Sequence, residues 1–252
     1  MNARILRGLV IPVLLIVAWF VATHYKLVNA FIVVRPEKVV TTAIAHWNEG
    51  LLLAPLLASL GRDLLGFALG TFAGLLVGGA MGMSSLADRL LGPSFHAAKQ
   101  VALFAWIPLL SVWCGTGEFA KVVFISLAAF YPVVLNTYEG VRSVSREYRE
   151  VARVYRFTWL QTLRKVIVPG ALPSIFSGLH LALIYAWLGT LGAEYLLAPG
   201  KGIGNLMIEG REAFAMDKVL LGVILAGAVG AALNALAAKL EHGALRWRVR
   251  GV

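Results

Sequence analysis

The sequence predicts an all-α, polytopic membrane protein with six transmembrane helices and one amphipathic helical loop on the cytoplasmic side. Three observations lead there. Of the 252 residues, 59% are hydrophobic and only 14% are charged, with a mean hydropathy of +0.78, whereas about a quarter of the residues in a soluble domain are charged. The apolar residues gather into six runs long enough to cross a bilayer. The longest interruption, residues 145–173, is itself periodic.

The first run, residues 5–23, follows Arg4 and contains Arg7 and Pro12. A signal peptide would have this shape, but no small-x-small cleavage site follows and five more runs do, so it reads as a transmembrane helix. Residues 24–58 are mixed. Pro36 suits the first turn of a helix, and Val40, Ile44 and Trp47 are spaced for one buried face, which predicts a short helix on the outer surface.

The second run, residues 60–83, carries Gly66, Gly70, Gly74, Gly78 and Gly82 at an unbroken interval of four. Hydrophobic force between helices is weak in hydrocarbon, so close backbone approach over small residues is a main route to helix association. Packing is the favoured reading of this ridge; a smooth track for sliding during transport is the second. The third run, residues 93–114, places Lys99 and Gln100 near its middle third and Pro108 where it breaks the helical ladder. The fourth covers residues 119–135.

In the interruption, Val141, Val144, Tyr148, Val151 and Tyr155 recur at intervals of three and four, and Arg142, Arg146, Arg149, Arg153 and Arg156 repeat those intervals one or two residues later. One helix with an apolar seam and a basic seam is expected. Thr158 and Gln161 match a capping box and open a second short helix, with Trp159, Leu163 and Val166 or Ile167 on its apolar side, closed by Pro169 and Gly170.

The fifth run, residues 174–196, holds His180, Tyr185, Trp187 and Glu194. Glu194, at its end, either reaches interfacial water or acts at an outer gate. A loop kept polar by Glu209, Arg211, Glu212 and Asp217 leads to the sixth run, residues 219–240, and a tail with Arg246, Arg248 and Arg250.

The net charge of +10 admits a nucleic-acid reading, but the basic residues cluster between apolar runs and no nucleic-acid-binding motif accompanies them. Topogenic charge explains them better. With the amino terminus inside, the cytoplasmic segments carry about twice as many lysines and arginines as the outer ones, where Lys26, Lys121 and Lys201 fall. The single Cys114 permits neither an intrachain disulfide nor a cysteine metal cluster. No G-x-x-x-x-G-K-[ST], H-E-x-x-H or G-x-S-x-G occurs, so ATPase, metalloprotease and lipase readings have no residues to rest on, and no catalytic residue, metal or cofactor is expected in this chain.

In the interruption, Glu150, Ala152, Phe157, Val166, Ile167, Pro169, Ala171 and Pro173 fall in register with the cytoplasmic-loop signature of ABC importer permeases, and the segment resembles it. Val151 departs at the first Ala of the signature, and Arg156 stands where relatives have Gly. A left-handed turn at Arg156 would cost about 1 kcal/mol or more, or the turn uses another geometry. Ile107, Pro108, Leu109, Trp113, Gly115, Glu118, Ala120 and Lys121 resemble a second family pattern, from which Ala102 departs, and Ala193-Glu194 and Gly202-Ile203-Gly204 resemble a third.

The resemblance covers nearly the whole chain and is closest to permeases of the aliphatic sulfonate, taurine and nitrate type. It implies one transmembrane domain over residues 1–252, with a coupling loop at about 139–173 whose contact residues are Tyr148, Glu150, Val151, Ala152, Tyr155, Arg156, Phe157 and Pro169. It also implies a gate or pathway at Pro108, Trp113 and Glu194, and a multi-pass homodimer in the bacterial inner membrane with both termini cytoplasmic. The implied partners are two cytoplasmic ATPase subunits, which hold the ATP and magnesium, and an extracytoplasmic substrate-binding protein. The implied substrate is a small sulfonate or related anion such as nitrate. An ion-coupled secondary transporter is the rival reading; it requires intramembrane ionisable groups and usually internal repeats, and the sequence offers few of the first and none detectable of the second.

Overall fold

The computed structural model describes residues 3–25, 27–28, 33–197 and 200–244; in the first helix, side chains are described from residue 10 on, with residue 12 excepted. The side chains of Arg4, Arg7 and Pro12, together with Lys26, Arg246, Arg248 and Arg250, lie outside the described residues. The described residues form helices and no strand. These are α1 (Ala3–His24), α2 (Pro36–Asn48), α3 (Leu53–Met83), α4 (Ser85–Ala98), a 3₁₀ turn (Leu103–Trp106), α5 (Ile107–Cys114), α6 (Glu118–Ser143), α7 (Arg146–Val154), α8 (Trp159–Thr162), a π turn (Leu163–Ile167), α9 (Val168–Leu196), α10 (Ile203–Glu212) and α11 (Met216–Ala244). Among the described residues, four helices are long and apolar enough to cross a membrane: α3, α6, the 38-residue run Trp159–Leu196 that joins α8 to α9, and α11. A fifth crossing arises if α4 and the segment Leu103–Cys114, which meet at a bend of 95°, count as one.

Three expectations are corrected by this architecture. The third apolar run is not one helix: α4 ends before Lys99, and the chain turns through Gln100 and Val101 before helix resumes. Lys99 and Gln100 therefore sit in the bend, their N–H groups donating back to the Phe95 and Ala97 carbonyls of α4 at 3.0 and 3.2 Å. Pro108 does not break a ladder, because it occupies the first turn of α5, where its missing N–H is not used. In the amphipathic interruption, α6 stops at Ser143, Val144 is extended and α7 starts anew, capped by the Ser145 hydroxyl accepting from the Tyr148 N–H. The expected single helix over 141–156 is thus two.

The close at Pro169 is also corrected. The Val168 N–H bonds to the Leu163 carbonyl, one residue further back than in an α-helix. Proline lacks a donor and its ring crowds the carbonyl four residues earlier; the widened π turn just ahead of Pro169 moves those carbonyls aside, and the helix runs on to Leu196.

The chain separates into two compact units, residues 59–199 with 228–252, and residues 1–58 with 200–227. In the larger unit α6 is the centre. Its Phe124, Ile125, Ala128, Ala129, Val133 and Val134 are buried. Along α3, a Cβ added at Gly66, Gly70, Gly74, Gly78 or Gly82 would run into α6 at each site, at Gly74 lying 2.7 Å from Val133 Cβ and at Gly82 2.7 Å from Val141 Cβ. On its other side α6 meets α9, where Gly178 lies against Asn136 and Gly189 against Ala128. Small residues therefore set the spacing on both sides of the central helix, as association in hydrocarbon demands.

In the smaller unit, α2 starts at Pro36, but its buried residue is Val39; the expected face of Val40, Ile44 and Trp47 is exposed. α2 is held to the start of α11 instead, by the Thr42 hydroxyl donating to Asp217 at 2.7 Å and by Lys38 at 3.5 Å from the same carboxylate. The polar segment after the fifth run is helical rather than a loop, since Glu209, Arg211 and Glu212 lie on α10.

Candidate functional site

Two constructions stand at opposite ends of α6. The first is the lever formed by α7, α8 and the π turn. Because α6 ends at Ser143, its last carbonyls need donors; Arg149 on α7 reaches back and donates from Nη2 to the Val141 carbonyl at 2.7 Å. That bond folds α7 onto the end of α6. Val141 and Val144 are buried with the bundle, whereas Tyr148, Val151 and Tyr155 are exposed, so the expected apolar seam is divided between the core and the lever's free face. The arginines divide similarly. Arg142 pairs with Asp88 of α4 at 3.2 Å, and Arg146 with Glu150 one turn on at 2.9 Å.

α7 ends in a Schellman motif. The Phe157 N–H bonds to the Ala152 carbonyl and the Arg156 N–H to the Arg153 carbonyl, both at 2.9 Å, with Arg156 at φ +52°. The left-handed turn is thus made by an arginine, and no alternative geometry replaces it. The second helix opens as expected: Thr158 Oγ1 accepts from the Gln161 N–H, and Gln161 Oε1 accepts from the Thr158 N–H at 2.9 Å. Arg156→Gly is expected to stabilise the chain by about 1 kcal/mol, the left-handed penalty for a residue with a Cβ less the larger chain entropy of glycine. Thermal unfolding of the purified protein reads this as a higher midpoint; a lower one would mean that the arginine side chain itself holds the turn.

Between α7 and the start of α9 lies a groove of about 460 Å³. It brings together Tyr148, Val151, Ala152, Tyr155, Phe157 and Pro169, and adds Lys165, Val166 and Gly170. Glu150 and Arg156 are outside it. The groove is floored by apolar side chains, and Lys165 Nζ stands 5.3 Å from the Phe157 ring centroid. Glu150 is exposed and bonded within its own helix.

The second construction is a cluster of charges where α3, α6 and α9 converge at the far end of α6. Arg62 on α3 is the hub. Its Nη1 donates to Glu194 Oε1 at 2.6 Å, and its Nε and Nη2 donate to the two oxygens of Glu118, the latter at 2.9 Å. The Ser59 hydroxyl lies 2.7 and 2.9 Å from the Glu194 oxygens. Lys121, 1% exposed, places Nζ 3.3 Å from Glu118 Oε1. The Thr190 hydroxyl lies 3.1 Å from Asp63 Oδ1. Glu194 and Asp63 are fully buried, whereas the Glu118 side chain is 60% exposed.

The structure therefore places Glu194 inside an ion network, not at interfacial water. Pro108 and Trp113 stand exposed on α5, whose inward residue is Leu110. The sequence alone does not single out Ser59, Arg62, Asp63 or Thr190, and it places Lys121 in an outer segment. An Arg-Asp pair inside an otherwise apolar run was the available signal, since such groups are rare in spans and face partners when they occur. Buried ionisable groups on the candidate spans are thus more numerous than the sequence suggests.

Similar proteins agree with this architecture. Residues 66–245 match the family model described as binding-protein-dependent transport system inner membrane component. A putative aliphatic sulfonates transport permease protein of Bacillus subtilis is 36% identical over 96% of this chain and 88% of its own length. The taurine transport system permease protein of Escherichia coli is 34% identical over 92% of this chain and 88% of its own. Among solved structures, an inward-facing form of the MetNI methionine ABC transporter superposes with a TM-score of 0.58 and 18% identity, covering 73% of this chain and 94% of that one. The match in fold joins the match in sequence, and the chain belongs to the family of binding-protein-dependent inner membrane transport components, the permeases of ABC transporters.

Proposed function

We propose that this permease imports a small sulfonate or a related anion, as a homodimer with six spans per chain and both termini in the cytoplasm. An extracytoplasmic binding protein delivers the substrate, and two cytoplasmic ATPase subunits, which hold ATP and magnesium, grip the α7–α8 levers. The substrate class follows the sulfonate and taurine permeases that the chain resembles.

One observation carries the mechanism: a single helical run, Trp159–Leu196, starts in the lever and ends at the Glu194 cluster. Its 38 residues span about 57 Å. A large apolar side chain of the ATPase seated in the groove, ringed by Tyr148, Tyr155 and Phe157, would grip the run at one end. Closure of the ATPase pair then shifts α9 along α6 over the small residues that separate them, and the shift arrives at Glu194. Glu194 thereby becomes the outer gate residue, and Pro108 and Trp113 on α5 border the pathway.

The test is ATP-dependent uptake in vesicles that hold the permease, its ATPase and its binding protein. Uptake of sulfonates or taurine is expected, and failure to take up sulfonates, taurine and nitrate alike would overturn the substrate class. Glu150→Ala belongs in the same assay. Its loss removes an exposed i,i+4 pair worth about 0.3 to 0.5 kcal/mol, so folding should be unchanged. Because Glu150 flanks Val151 at the groove's edge, uptake or ATPase binding should fall severalfold; wild-type values of both would remove Glu150 from the lever.

A further inference from the structure

We infer that Arg62 and Lys121 form an oxyanion site for which Glu118 is the resident, displaceable ligand. The inference rests on the anion reading above and names a place for the anion. It starts from an imbalance of burial. Arg62 and Lys121 have side chains only 10% and 1% exposed, yet the carboxylate they share is 60% exposed. Two cations so placed attract negative charge, and on the exposed side of the cluster water screens what a carboxylate does not meet. Glu194 supplies one negative charge and is locked, being fully buried and held by Ser59 as well as by Arg62. Asp63, the other buried carboxylate, accepts from Thr190 and lies within ion-pair distance of neither cation. The second cation's charge is therefore met by Glu118.

Glu118 is suited to leave. It is the first residue of α6, its carboxylate already faces solvent, and moving away loses little hydration. What remains is the Nε and Nη2 edge of a guanidinium beside an ammonium. That edge presents two parallel N–H donors, which fit two oxygens of a carboxylate or sulfonate, and Lys121 Nζ adds a third donor beside the oxygen that Nη2 holds. A solvent-borne sulfonate is thus an isostere of what Glu118 already provides. Displacement would also cut α6 from Arg62 while leaving α9 attached through Glu194, so occupancy and the link between two spans exclude one another.

The experiment uses the full chain in lipid nanodiscs without binding protein or ATPase, with methanesulfonate as the probe and sodium chloride holding ionic strength constant. Thermal midpoint is followed against methanesulfonate concentration. In wild type, protection is expected only at high concentration, because Glu118 competes. In Glu118→Gln and in Glu118→Ala the probe should half-saturate at a concentration lower by about tenfold or more, the effect of removing an intramolecular competitor. Adding Lys121→Gln to Glu118→Ala should abolish the protection. Equal half-saturation in wild type and both Glu118 variants, or no protection in either variant, overturns the site. Uptake assays report separately: a permease that imports another class of solute yet shows the Glu118 effect keeps the site and loses the substrate reading, and one that imports sulfonates without the effect does the reverse.

Discussion

Gly74→Leu is expected to abolish the folded permease and with it all uptake. A Cβ at this position would lie 2.7 Å from Val133 Cβ and 2.8 Å from Val133 Cγ1, closer than carbon atoms approach without something moving. Val133 is fully buried on the central helix. Leucine then adds three more carbons to a space that does not admit the first. The two helices would have to part along their length, because Gly70 and Gly78 one turn either side meet the carbonyl oxygens of Ser126 and Val134, which are backbone and cannot swing away. In water such a separation would be opposed by the hydrophobic effect, but lipid tails fill the gap without penalty, so packing is the term that is lost. Overpacking in cores costs roughly 1 to 3 kcal/mol where neighbours adjust; here they are a valine and backbone, so the loss should be at the upper end or beyond. Gly79→Leu, on the same helix with only the end of Met83 near it, is the control and should fold. The yield of monodisperse protein and its thermal midpoint check both. A folded Gly74→Leu protein would mean that α3 and α6 do not meet along this ridge.

Why the ridge was legible in the sequence while the charge cluster was not comes down to period. Five glycines at one interval declare a face by themselves, whatever lies opposite. The capping box of Thr158 and Gln161 is legible for the same reason, since all its partners lie within three residues. Arg62, Glu118 and Glu194 belong to three helices, far apart in sequence, and no local pattern ties them to one another. The lever fell between these cases. Its 3–4 periodicity ran from Val141 to Tyr155 without interruption, yet the chain breaks at Val144. Arg149 reaching the Val141 carbonyl is a tertiary choice that periodicity does not record. Pro169 misled in the opposite direction, because a widened turn of backbone absorbs its missing donor.

Arg62→Met is expected to be the most destabilising single change in the charge cluster, and its partners should rank by burial. The guanidinium joins two carboxylates of opposite character. Toward Glu118, mostly exposed, the pair is partly screened by water, and such pairs contribute about 0 to 1 kcal/mol. Toward Glu194, fully buried, removing the guanidinium takes away a buried ion-pair partner, and breaking a buried pair in this way costs about 3 to 5 kcal/mol. Glu118→Gln should therefore lower the thermal midpoint least and Arg62→Met most. Much of the Arg62→Met cost is the penalty on the abandoned partner rather than the net contribution of the pair, which a second substitution exposes. With Arg62→Met and Glu194→Gln together, no charge is left behind, the glutamine amide still bonds to Ser59, and the midpoint should recover a large part of the loss. Uptake should not recover with it, because the proposed gate has lost the charges that act there. Thermal unfolding and uptake measured on the four proteins of that cycle separate the two roles. If the double variant is no more stable than Arg62→Met, the guanidinium is holding the helices by its packing, and the ion pair is not what binds α3 to α9.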